Sequence, residues 1–180
     1  NSSPIDRPEA DIVRYLSDPS VEPPPVGDLG ASIGAALALH AAHGGSTYSL
    51  RWGDLSGADL WAVSPFPDLT ATVEGRDIRS EDLSVFVRDN LELLSHPQCA
   101  LGTFLSWGDC TTFIDVSLVL ADSARALELG RRYNQISVFN LLTFEEIPTC
   151  DLSLPGNTCG AAVDYLSSPL ERLNCALDST

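Results

Sequence analysis

The sequence predicts an α+β fold: a mostly antiparallel sheet from two ββα units plus a final strand, with helices packed on one face. Three observations carry this. Apolar and polar residues alternate with period two over 47–52, as a half-buried strand requires, and further strands read over 60–64, 100–106 and 111–119. Amphipathic helical stretches, Ser80 to Ser95 and Asp122 to Tyr133, follow each strand pair. The 180 residues, 44% hydrophobic and 19% charged, suffice for a core without a metal or a disulfide framework. The expected division is a Pro-rich N-terminal arm over 1–26, a single α+β domain over 27–149, and a tail over 150–180 with a short helix.

Along the chain, the arm holds a helical stretch from Pro8 to Leu16. Pro19, Pro23, Pro24 and Pro25 then favour extended backbone. Asp28 is a suitable N-cap for a helix ending at His43, with Leu29, Ile33, Leu37 and His40 on one face and Gly44-Gly45 as the stop. Its remaining positions are small and uncharged, which suits burial between other elements. Tyr48, Leu50 and Trp52 alternate with Thr47, Ser49 and Arg51, and a turn within Gly53–Gly57 leads to a returning strand, Leu60 to Ser64, so the two are expected to pair.

Ser80 is expected to cap the next helix. Leu83, Phe86, Val87, Asn90, Leu91 and Leu94 form its inner face, and His96-Pro97 closes it. Strands Ala100 to Ser106 and Thr111 to Val119 flank the turn Trp107-Gly108-Asp109. A helix from Asp122 to Tyr133 and an apolar strand from Ile136 to Leu142 complete the domain. Trp52-Gly53-Asp54 and Trp107-Gly108-Asp109 lie 55 residues apart, a spacing that fits an internal ββα duplication. In the tail, a helix from Ala161 to Leu173 is expected to be interrupted by Pro169.

The 25 acidic and 10 basic residues give a net charge of −15, and all ten basic residues are arginine. Phosphate backbones would be repelled, so direct nucleic-acid binding is not expected. No stretch has the roughly 20 apolar residues that cross a bilayer, so no membrane span is expected. The chain begins at Asn1, which suggests processing or excision; the compartment is left open, with cytoplasm or a virion favoured over secretion.

Five cysteines include no Cys-x-x-Cys pair. Cys150 and Cys159 flank Leu154-Pro155-Gly156-Asn157, a turn sequence that makes them the candidate disulfide. His40 and His43 have a spacing that suits one metal ion, although the helix dipole explains histidines at a helix end without one; no metal or other cofactor is expected. His96 and Cys99 read as a base and a thiol without an orienting third group. Asp54 and Asp109 are either a carboxylate pair or turn residues that cap their own backbone. Trp52, Trp61 and Trp107 are candidate interface anchors, with core packing as the competing use.

Leu101-Gly102-Thr103-Phe104, Phe113-Ile114-Asp115-Val116-Ser117, Tyr133-Asn134-Gln135-Ile136-Ser137-Val138-Phe139 and Glu145-Glu146-Ile147-Pro148-Thr149 resemble an uncharacterised family of actinobacteria and their phages or mobile elements, over about a quarter of the chain. The resemblance implies a phage or accessory component and carries over no activity. With no catalytic constellation in the sequence, compact ββα units and terminal arms suited to wrapping a neighbour, the leading expectation is a non-catalytic interaction or structural protein. It would associate, with a protein partner or with itself, through apolar surface and terminal arms. An acidic DNA mimic that occupies a nucleic-acid-binding protein is the alternative. A small enzyme with Asp and His residues assembled by the fold is the second.

Overall fold

A computed structural model describes residues 8–149 and 167–178. The helices are α1 (Pro8–Ser17), α2 (Leu29–His43), α3 (Ser80–Asp89), α4 (Leu91–Leu94), α5 (Ser123–Arg132) and α6 (Pro169–Asp178). The strands are β1 (Gly45–Ser49), β2 (Gly53–Asp54), β3 (Trp61–Val63), β4 (Ala71–Glu74), β5 (Cys99–Ser106), β6 (Thr111–Leu120), β7 (Ser137–Asn140) and β8 (Glu146–Pro148). All pairings among the described strands are antiparallel, in the order β2-β1-β5-β6-β3-β7-β8, with β4 also on β6. The α+β class read from the sequence is the one observed.

The long β5–β6 hairpin is the spine. Its strands alternate faces. Leu101, Leu105, Ile114, Val116 and Leu118 turn to one side, where α2, α3, α4, α5 and α6 contribute Ile33, Phe86, Leu94, Leu129 and Leu173 to the main core. Ala100 and Val119 turn to the other, joining Ile12 of α1 with Trp52, Leu55, Leu60 and Ala62 in a second cluster. The helix of the N-terminal arm thus packs on the chain's own sheet through Ile12, Tyr15 and Leu16. No helix among the described residues is long and apolar enough to cross a membrane.

Local chemistry explains most element ends. The Asp28 carboxylate accepts the Ala31 N–H at 2.8 Å, and Gly44, at φ 75, lets the α2 C-terminus close on His40 O. Asp122 caps α5 in the same way. For α3 the cap lies one residue earlier than expected, at Arg79, whose N–H reaches the Asp82 carboxylate at 2.9 Å. The expected continuous helix to Ser95 breaks at Asn90. Leu93 is consequently turned inward, and Leu91 stands at 36% exposure.

The predicted first hairpin does not close. The Ser49 hydroxyl accepts the N–H groups of Arg51 and Trp52, which ends β1 and turns the chain into the short β2. Leu55, Ala58 and Leu60 are then buried in the second cluster, and β3 pairs with β6 and β7 on the far side of the hairpin. The duplication therefore ends at the turn. Three short strands escaped the reading: β2, which lies in the expected turn, β4, and β8, which makes a hairpin with β7 around Asn140, whose side-chain oxygen accepts from Leu142 and Thr143.

Pro169 opens α6, and the 161–166 part of the expected Ala161–Leu173 helix lies outside the described residues. Ser168 and Glu171 exchange reciprocal side-chain to backbone bonds, a capping box with proline at the first helical position. Arg172, 2% exposed, ties this helix to the turn that follows β3. It makes two bonds to Asp68, at 2.7 and 2.8 Å, and one to Pro65 O, and it lies over the Phe66 ring.

Candidate functional site

Among the described residues, α1 and the 52–60 segment cover half of the second face of the sheet. On the other half, cross-strand register places Phe104 opposite Phe113 and Gly102 opposite Asp115, with Thr47 of β1 beside Gly102. Such partners stand roughly 5 Å apart, and same-face neighbours along a strand about 7 Å. Phe104 is 45% exposed in the middle of the sheet, while Phe113 and Asp115 are half-buried. The rim is Thr72 and Glu74 of β4, both exposed.

Asp115 is the chemical centre of this patch. The Ser117 hydroxyl donates to its Oδ1 at 3.0 Å, and a Cβ on Gly102 would overlap its carboxylate, so this glycine is what lets the group lie across β5. Burial pushes its pKa up to about 6, against the Ser117 bond, which pulls it down. No ion pair to Asp115 forms among the described residues. Sequence reasoning passed over Asp115; the signal was a lone carboxylate inside the apolar run Phe113–Ser117.

The predicted site residues are dispersed. Trp52 is buried in the second cluster and donates its indole N–H to Pro97 O at 3.0 Å, whereas Trp61 lies half-buried against the main core. Trp107, at 72% exposure, sits at the hairpin tip with the Arg76 guanidinium 5.6 Å from its ring. Its ring lies near Leu105 and Gly44, on the α2 side, so the three tryptophans form no common surface.

His40 is buried, with Nδ1 at 3.0 Å from Thr103 Oγ1 and Nε2 at 3.0 Å from Arg76 O; Ser46 Oγ extends this chain to β1. Both ring nitrogens have protein partners, and His43 is exposed, so the two imidazoles do not converge. The described residues contain no group of three or more His, Cys, Asp or Glu side chains placed to hold a metal. Burial pushes the Cys99 thiol up to about 12, and burial with Arg51 nearby holds His96 below its ordinary value, so this pair lacks a thiolate.

Asp54 and Asp109 accept the N–H groups of Ser56 and Thr111, two residues on, which makes them turn residues. Cys150 and Cys159 lie outside the described residues. A cleft of about 590 Å³ opens elsewhere, between α1, α5 and α6, lined by Tyr15, Leu16, Gln98, Asp122, Arg125 and Leu177. Its one cationic side chain is engaged, since Arg125 bonds Glu128 at 2.8 Å and Ala176 O at 3.1 Å.

No family model, no curated protein and no solved structure matches this chain.

Proposed function

We propose that the protein is a non-catalytic interaction component that binds a protein partner through the half-open sheet face carrying Phe104 and Phe113. The observation that supports this most is Phe104: a large aromatic ring left exposed in the middle of a sheet, beside a second aromatic ring, is the composition of an interface anchor. The inert Cys99 thiol and the engaged His40 ring favour binding over nucleophilic chemistry. A place in a phage or mobile element remains part of this proposal, through the resemblance over 101–149.

The test is site-specific photocrosslinking in the cells that contain the chain. A photoreactive phenylalanine analogue at position 104 or 113 should give a discrete protein adduct, and one at Val85, exposed on α3, should not. Equal labelling from all three positions would refute the assignment of the face.

A further inference from the structure

We propose that this face receives a basic side chain: the partner presents an arginine or lysine whose stem packs against Phe104 and Phe113 and whose charged head meets the Asp115 carboxylate. The inference rests on the association reading above and adds the chemistry of the partner.

The register supplies the geometry. Two phenylalanines stand opposite each other in the β5–β6 register, and a carboxylate stands two positions along from one and diagonal to the other, all on one face. Ring faces attract cations, and a half-buried carboxylate strengthens that attraction because solvent screens it less. Arginine and lysine stems are apolar enough to lie on such rings. A neutral apolar partner would leave the carboxylate desolvated against it, which costs free energy.

The charge balance points the same way. The described cation pairs are Arg79–Asp82, Arg125–Glu128 and Arg172–Asp68, and Arg76 lies over Trp107; none reaches Asp115. Facing Asp115 are Phe113 and Ser117 on its own strand, Gly102 on β5 and Thr47 on β1. On β4 the same face carries Thr72 and the ionisable Glu74, whose register partner is Thr111, two same-face steps away. Arg14 of α1, over the covered half of the face, is exposed and acts on Asp18. A carboxyl held by one hydroxyl among the described residues, with its pKa raised by burial, is a group that an incoming cation stabilises. At −15 a second copy of this chain is repelled at long range and a basic partner is attracted, which selects the occupant.

The experiment titrates the full chain with a capped tri-arginine peptide and with its neutral tri-citrulline counterpart, by calorimetry at low salt. Asp115→Asn and Phe104→Ala should each weaken tri-arginine binding about tenfold, because each removes one half of the receptor. Glu81→Gln, an exposed acid on α3, should change it less than about twofold. Between about pH 7.5 and about pH 5 the wild type should fall to the level of Asp115→Asn, which itself changes little. Tri-citrulline should not bind.

Equal weakening by Asp115→Asn and Glu81→Gln would overturn the proposal, since it would mean diffuse attraction to an acidic surface. Circular dichroism verifies that each variant is folded, and Asp115→Glu should retain most of the binding. Specific crosslinks at position 104 without any Asp115-dependent peptide binding would refute the cation receptor and leave the association face standing. Loss of the crosslinks as well would refute both.

Discussion

Asp115 stores a pH dependence that its position in the sequence does not reveal. Its folded pKa, about 6, lies above the ordinary 3.8, so folding favours the protonated form. Its contribution is fully present below about pH 4 and is lost as pH rises through about 6. Asp115→Asn should therefore match the wild type near pH 4. Near pH 7 it should be more stable by up to about 2 kcal/mol, a value reduced for partial solvent screening. Urea unfolding at both pH values measures this, and an equal difference at the two would contradict it. Phe86 and Leu91 make a second comparison at this scale. The sequence puts both on the inner face of one continuous helix, but the break at Asn90 leaves Phe86 buried and Leu91 on the surface. Phe86→Ala should cost about 3 to 5 kcal/mol and Leu91→Ala less than about 1, read from the same denaturation curves.

Among the elements, α6 is held by a charge pair whose residues lie 104 positions apart. The Arg172 bonds lower the Asp68 pKa. The sign is opposite to that of Asp115: this stability is present above the ordinary carboxylate range and is lost as pH falls through the lowered value. Asp68→Asn should cost about 1 to 2 kcal/mol at neutral pH, allowing for the partly exposed carboxylate, and the deficit should shrink in acid. Thermal melts across pH follow it; a deficit that grows on acidification would contradict the assignment. The strand order carries a related lesson. The apolar runs correctly marked β5 and β6, but the nearness in sequence of β1 and β3 suggested that they pair, which they do not. The Ser49 turn and the burial of Leu55 and Leu60 on the opposite face sent β3 to another edge.

For the whole molecule, a charge of −15 disfavours close approach of two copies, while an apolar face with a single carboxylate at its centre favours a basic partner. Such a complex should be only shallowly dependent on salt: raising sodium chloride from about 0.1 M to about 0.5 M should leave it intact, because one half-buried charge contact is screened little. Size-exclusion chromatography with light scattering on the crosslink-identified complex tests this. Steep dissociation over that range would indicate many exposed charge contacts, as in a DNA mimic, and would count against the face assigned here.

By itself the sequence determined the fold class, the hairpin at Trp107-Gly108-Asp109, the caps at Asp28 and Asp122 and the faces of β5 and β6, because each depends on neighbours a few residues away. It also offered a local use for the turn aspartates, through backbone N–H groups two residues on, and the structure shows that use. Tertiary structure alone decided which strands meet, that Trp52 and His40 are internal, that Arg172 finds Asp68, and that Asp115 lies over Gly102 beside two phenylalanines. Those outcomes depend on register between strands distant in sequence and on which half of a face another element covers, and neither is set by local periodicity.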